Sequence, residues 1–383
     1  MRRDYFVYAA ALSNCFEGNI SAAKEIIDCF GSVEDIFECD RREAVEVCPP
    51  LARCAAKLFG QQNMERAHRD IEWALDHGVD IVTYTDSGYP RRLRECPDAP
   101  IILYSKGFCD YNRPRFIAIV GTRAATQYGR KYCSTIIEGL ATCGIKPVVV
   151  SGLALGIDTY AHTFALRNGL DTVAVMGTGF DNIYPRSNEQ LADEIMAHGA
   201  VLTEFSPFTE GYPVNFVRRN RIIAALADCT LVVESKLKGG GLITARLAQD
   251  YDRSVFAVPG RIDDNTFKGC NEIIEENIAA IVTGAGSIKR AMGWDEPAGQ
   301  LPLVFDAERR STASDALCGL PGSEARGRLK TAILTFLADH PESDISAICA
   351  ATGCDSRSIS LPLLELEMSG SIILMSGNRY RVK

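Results

Sequence analysis

Residues 216–248, FVRRNRIIAALADCTLVVESKLKGGGLITARLA, set three arginines, an apolar run, a strand-like run and a triple glycine in one repeat. Arg218, Arg219 and Arg221 stand just before Ile222, Ile223, Ala224, Ala225 and Leu226, where a helix is expected to begin. Fixed positive charge beside the unpaired N–H groups of a helix start makes an anion site. Residues 230–234 then read as a buried strand, Gly239, Gly240 and Gly241 as a turn, and Leu242 as the start of the next helix. If both helix starts lie on one rim of a sheet, two anion-compatible ends meet.

The same alternation of apolar strand and helix extends over residues 113–290, with strands expected at 116–120, 147–150, 172–176, 201–204, 230–234 and 255–258. Strands apolar along their whole length need cover on both faces. This predicts an α/β fold with a Rossmann-like, mostly parallel sheet whose binding edge is the carboxyl end of its strands. Residues 1–80 read as short helices at 5–12, 21–29, 33–37, 50–58 and 63–77, a small SAM-like or helix-hairpin-helix-like domain. Residues 81–112, with short strands at 81–84 and 101–104, read as a connector packed on the main domain. Residues 291–327, rich in Pro, Gly, Ser and Ala without periodicity, read as a linker. Residues 328–383 carry three short helices and a hairpin turning at Ser376, Gly377 and Asn378, the pattern of a winged-helix domain. Across 325–383 seven Lys and Arg face six Asp and Glu, so DNA reading and protein docking stand level for that domain.

A length of 383 residues, 46% hydrophobic and 23% charged, fits a soluble chain of two or three domains. The net charge of -8 excludes coating of a polyanion by bulk charge and leaves open a single cationic face. Fourteen cysteines are scattered, and most, such as Cys29, Cys133, Cys143 and Cys229, fall in or beside apolar patterns. They read as buried free thiols in a reducing, cytoplasmic setting. Cys349 and Cys354 lack a second pair, and the five histidines have no ligand spacing, so neither metal nor cofactor is expected. No leader pattern or 18-residue apolar run points to a membrane.

Gly121 ends the first strand and Thr122 and Arg123 follow, placing Arg123 where it would project into the crevice. The dinucleotide fingerprint lacks its second glycine and the Walker lysine is missing, so Arg123 reads as a phosphate contact, with Thr122 and Thr126 divided between capping and phosphate. Ser151 and Gly152 end the next strand; Val149 stands where a nucleophile elbow needs glycine, so Ser151 is not read as a nucleophile. Asp158 and His162, four apart, could share a hydrogen bond on one helix face, and read as orienting the loop, capping or satisfying a buried polar pair rather than as a catalytic dyad. Gly177 and Gly179 frame a third loop, with Phe180 and Tyr184 divided between base stacking and rim packing. Phe216 beside the arginines permits base stacking next to phosphate binding, and Lys236 and Lys238 add a positive rim. One of the three arginines is expected to brace the fold through Glu204 or Glu234. Asn220, Gly240 and Thr244 complete the candidate anion-binding set, and no residues assemble a catalytic group.

These residues resemble the DNA-processing protein A family, also called Smf. The resemblance rests on SGYPRRLRECPDAPIILYSKG at 87–107, IVGTRAATQYG at 119–129, SGLALGIDTYAH at 151–162, AVMGTGFDNIYP at 174–185, RRNRIIAAL at 218–226, GGGLITARLA at 239–248 and FAVPG at 256–260. It runs along the whole chain, and the ordered set is specific where each piece alone is weak. It implies a non-enzymatic protein of natural transformation and recombination that binds single-stranded DNA, forms a homodimer through its Rossmann-like domains, and loads RecA recombinase onto DNA covered by single-strand-binding protein. The implied phosphate contacts fall on Arg123, on Ser151 and Gly152, and on residues 218–221, and the implied base contact on Phe216. Leu155, Val217 and Gly239 stand where the family commonly has arginine, proline and serine. Two other functions compete: a nucleotide- or phosphoribosyl-processing enzyme using Glu204 or Asp158 as acid or base, and a DNA-linked protein adaptor acting through the terminal domain.

Overall fold

The run Phe116, Ile117, Ala118, Ile119 and Val120 is buried along its length because it lies at the middle of a nine-stranded sheet in the computed structural model. The structure describes residues 2–16, 20–144, 146–294, 322–354, 356–375 and 379–382. Two compact units, Met1–Gly299 and Gln300–Lys383, divide the chain.

In the first unit the helices α1 (Arg2–Cys15), α2 (Ile20–Phe30), α3 (Val33–Glu38), α4 (Arg41–Val47), α5 (Pro49–Ala52), α6 (Ala55–Leu58) and α7 (Gln61–Asp76) come first. The expected helix over 50–58 is two pieces parted at Arg53 and Cys54, and α4 carries charges that hid it from an apolar pattern. Next come β1 (Asp80–Thr83), α8 (Arg91–Arg94) and β2 (Ile102–Gly107). The connector is therefore more than a connector: β1 pairs antiparallel with β2, and β2 pairs antiparallel with the next strand of the sheet. The helical core joins this edge directly, since Ile81, Ile101, Ile102 and Tyr104 are buried with Leu12, Ile71 and Ala74.

Then follow β3 (Phe116–Val120), α9 (Gln127–Leu140), β4 (Val148–Ser151), α10 (Ile157–Arg167), β5 (Thr172–Val175), α11 (Glu189–Ala197), β6 (Gly199–Thr203), α12 (Pro213–Leu226), β7 (Cys229–Val232), α13 (Gly240–Asp250), β8 (Ser254–Ala257), α14 (Lys268–Glu275), β9 (Ala280–Ile281) and α15 (Ala285–Met292). The sheet order is β1-β2-β6-β5-β4-β3-β7-β8-β9, parallel from β6 to β9. Helices cover both faces, which is why β3, β4, β5 and β7 are buried at every position. Each fully buried Phe, Ile or Val side chain of β3 contributes about 1.5–3 kcal/mol of transfer free energy.

Polar ties set how α12 meets the sheet. Asp228, just before β7, accepts hydrogen bonds from Arg92 Nε at 2.5 Å and from the Phe116 N–H at 2.7 Å. Tyr251 at the end of α13 donates to Asp98 at 2.7 Å, so the segment around α8 clamps two helices of the main sheet.

The second unit holds α16 (Gly322–Asp339), β10 (Ser343–Asp344), α17 (Ile345–Thr352), α18 (Ser356–Met368), β11 (Ile372–Met375) and β12 (Arg379–Val382). Its small antiparallel sheet has the order β10-β12-β11 and packs with Ile333, Leu337, Ile348, Ile359 and Leu363. The expected turn at Ser376, Gly377 and Asn378, and residues 295–321 of the expected linker, lie outside the described residues.

Candidate nucleic-acid interface

The strands β4, β5 and β6 run to one side of β3, and β7, β8 and β9 to the other, so the chain order reverses between β3 and β7. Open α/β sheets leave a crevice beyond the carboxyl ends of the strands at such a reversal. Here a cleft of about 520 Å³ lies between the β3–α9 loop, the first turns of α12 and the β7–α13 loop.

Gly121 begins the first wall because a Cβ there would stand 2.6 Å from Ile157 Cγ1 and 2.9 Å from the Glu234 carbonyl. The Thr122 N–H donates to that carbonyl at 2.8 Å. The buried Glu234 carboxylate accepts from the Thr126 N–H at 3.0 Å and its hydroxyl at 2.9 Å, and Thr126 Oγ1 in turn caps α9 by accepting from the Gly129 N–H at 3.1 Å. Glu234 thus holds a loop and no arginine, and Thr126 is a cap. Thr122 lines the cleft while its hydroxyl accepts from the Ala124 N–H at 3.2 Å.

The loop braced this way presents Arg123, which is exposed and lies with its guanidinium 5.5 Å from the centroid of the Phe216 ring. Phe216 rests on the Gly177 backbone, where a Cβ would come within 2.6 Å of the ring. The Tyr184 ring lies 5.3 Å away at 41°, and its 47% exposure places it on the cleft rim. Phe180 packs instead against the apolar clusters beneath.

The helix expected to begin at Ile222 begins at Pro213, which corrects the reading of all three arginines. Proline suits the first helical position, where its fixed φ and missing N–H cost nothing. Arg218, Arg219 and Arg221 therefore lie inside α12 and not at its start. Arg219 is 3% exposed and donates to the Gly152 and Val175 carbonyls at the ends of β4 and β5. Burial lowers its pKa to about 10, against the opposing pull of Asp158. Arg221, 6% exposed, donates to Glu204 and to the Asp98 carbonyl. Arg218 donates to the same Glu204 oxygen at 3.2 Å and lies 5.5 Å over the Phe205 ring. The expectation of one structural arginine becomes three with protein partners, and Glu204 serves two of them.

Other expected contacts are engaged within the fold, although Asp158 lines the cleft and Gly152 lines a small cavity with Arg123, Tyr184 and Phe216. The Ser151 hydroxyl is buried and donates to the Ile119 carbonyl at 2.6 Å, a bond that ties β4 to β3. Gly152 is covered by Arg219, whose Nη1 would lie 2.5 Å from an added Cβ. Gly179 is closed off by the carbonyls of Ser206 and Pro207, each 2.1 Å from such a Cβ. Asp158 and His162 do not share a hydrogen bond: Asp158 accepts from the Ala154 N–H at 3.4 Å, while His162 Nδ1 pairs with the Thr172 hydroxyl at 2.7 Å. Burial raises the Asp158 pKa, partly offset by Arg219, and pushes His162 down to about 3.

In the same cleft as Arg123 stand Lys236 and Lys238, both exposed, followed by Gly239. The helix α13 starts at Gly240, earlier than the expected Leu242. Its first N–H groups, on Gly240 and Gly241, have no acceptor among the described residues. Asn220, half-buried, and Thr244 complete the wall with Gly240. Among the described residues, Arg123, Lys236 and Lys238 form no ion pair. The lining residues Gly211, Pro213 and Val217 were not foreseen, because only the true start of α12 brings them to the cleft.

An open doubly wound sheet with exposed cations and a free helix start at its point of reversal defines a Rossmann-like α/β protein with an anion-compatible crevice. Residues 80–293 match the model of the DNA recombination-mediator protein A family. The chain belongs to that family. It is 42% identical over 199 residues to the DNA processing protein DprA of Streptococcus pneumoniae, covering 52% of this chain and 70% of the relative. It is 32% identical over 345 residues to the protein Smf of Synechocystis, covering 85% of each. The X-ray structure of DprA from Streptococcus pneumoniae superposes with a TM-score of 0.65 at 32% identity, over 75% of this chain and 97% of that one. DNA processing protein A from Helicobacter pylori, whose structure was described for its single-stranded DNA binding mode, gives 0.51 at 29% identity, over 57% and 96%.

Proposed function

We propose that this protein binds single-stranded DNA without sequence preference in the cleft between β3 and β7. One observation carries the reading: the Arg123 guanidinium lies over the Phe216 ring, with Lys236, Lys238 and the unbonded helix-start residues Gly240 and Gly241 lining the same cleft. A phosphate between the two walls would meet positive charge and backbone donors. An unstacked base would meet the aromatic pair Phe216 and Tyr184, and such stacking tolerates any base. Relatives named for DNA processing, and the Helicobacter pylori protein described as binding single strands, support the same reading.

The test is the affinity of oligothymidine for Arg123→Ala and Lys236→Ala across a salt series. Weaker binding with a shallower salt slope is expected. Unchanged affinity and slope in both variants would falsify the cleft assignment.

The family resemblance supports the wider role: loading RecA recombinase onto strands covered by single-strand-binding protein, by a cytoplasmic homodimer with a winged-helix domain over 328–383. Among the described residues no helix is long and apolar enough to cross a membrane. A RecA strand-exchange assay on covered DNA tests the loading role, and no gain in rate on adding the protein would remove it. The enzyme reading draws less support, because Glu204 is held by Arg218 and Arg221 outside the cleft lining, and Asp158, though it lines the cleft, is 7% exposed and accepts from the Ala154 N–H. Turnover of free nucleotides, abolished by Asp158→Asn, would revive it.

A further inference from the structure

The first turns of α12 border two clefts. Pro213, Phe216, Val217 and Asn220 face the cleft already described, whereas Asn215 and Arg218 face a second cleft of about 460 Å³. Its far wall comes from the helical part of the unit, through Arg66 and Arg69 of α7. Phe208 stands between, 38% exposed.

This second cleft repeats the central contact of the first. The Arg69 guanidinium lies 5.3 Å from the Phe208 ring centroid, as Arg123 lies 5.5 Å from that of Phe216. Trp73 meets Phe208 edge-on at 5.7 Å and 67°, and the ring residue keeps its 38% exposure between these two neighbours. Arg69 is exposed and has no ion pair among the described residues. Of the neighbouring charges, Arg66 lies 3.7 Å from the buried Asp70 and Arg218 donates to Glu204, while the carboxylate of the exposed Glu210 accepts, among the described residues, only from the neutral Tyr212 hydroxyl at 3.4 Å and keeps its charge on the rim. Between the two clefts the helix start exposes Tyr212, Val214 and Val217 at 57%, 68% and 49%, an apolar ridge over which bases can lie.

We infer that the single strand does not end in the first cleft: it passes over the start of α12 and places a further nucleotide on Phe208, with its phosphate at Arg69. This rests on the single-strand reading of the first cleft. The helical part of the unit, on this view, is a second wall of the DNA path, and the groove between it and the sheet is a nucleotide subsite.

The test uses the full chain and two oligothymidines, of about 4 and about 16 nucleotides, which bracket common single-strand site sizes. Arg69→Glu and Phe208→Ala are expected to bind the short one as the unaltered protein does. Their gain in affinity from the short to the long one should be smaller by about tenfold. Phe208→Trp should keep the gain, which separates stacking from a local packing fault. A gain in Arg69→Glu equal to that of the unaltered protein overturns the inference and leaves the first cleft standing. Failure of the unaltered protein to bind either length overturns both.

Discussion

In α12, Arg219 is 3% exposed and donates to two strand-end carbonyls; in the β3–α9 loop, Arg123 is exposed with an aromatic ring beneath it. Both belong to segments that read as cationic. The helix residues are engaged by the fold: Arg218 and Arg221 converge on Glu204, and Arg219, which lines the cleft, is buried and bonded to the carbonyls at the ends of β4 and β5. The loop residues Arg123, Lys236 and Lys238 are exposed in the cleft and form no ion pair among the described residues. A dense run of arginines is thus a poor guide to where charge stays exposed; sparse cations at the ends of strands, where no helix buries them, keep it.

The division can be broken most forcefully at Arg219. Arg219→Met leaves the Gly152 and Val175 carbonyls unbonded and Asp158 without its nearby cation, and should cost roughly 3–5 kcal/mol in denaturant unfolding. A loss within the surface range of about 0.5 kcal/mol would show that the guanidinium does not brace the sheet.

His162 gives a second handle on the buried side. Its pKa, pushed by burial from 6.5 to about 3, means that the unfolded chain takes up a proton that the fold refuses. Stability from this group is complete above pH 6.5 and falls as the pH drops toward 3, by up to about 1.4 kcal/mol per unit. Unfolding measured between pH 6.5 and 5 should show this slope, and His162→Gln should lack it. Equal slopes would place the histidine in contact with water.

On the exposed side the effects move from stability to binding. Arg123→Ala should leave the melting temperature unchanged and weaken oligothymidine about tenfold, with the salt slope reduced by about 0.7. Lys236→Ala and Lys238→Ala, on a loop reached by solvent, should each weaken it about threefold. A melting temperature lowered by Arg123→Ala would erase the distinction between the two groups.

The sheet was legible because its strands are apolar without alternation, a pattern that only double cover explains. The start of α12 was not. Residues 213–221, PVNFVRRNR, lack an apolar stripe, and the helix buries two arginines that hydrophobic periodicity counts as solvent-facing. Once Pro213 is taken as the first helical residue, Phe216 and Asn220 fall on the cleft side, one turn apart. Ser151 misled for a related reason: a hydroxyl at the end of a strand is as well placed to bond the neighbouring strand as to meet a ligand. The bond between Glu234 and Thr126, which shapes the Arg123 loop, joins segments whose meeting depends on the β3–β7 pairing.

The bonds from Arg219 to the ends of β4 and β5 also bear on how fast and at what cost a ligand is held. They pin α12 to the rigid centre of the sheet one helical turn beyond Phe216, so the ring stands in place before anything arrives. A site prepared in this way surrenders little conformational freedom on association. Its encounters should succeed at a rate set by charge and diffusion, with differences in affinity appearing in how long a strand stays.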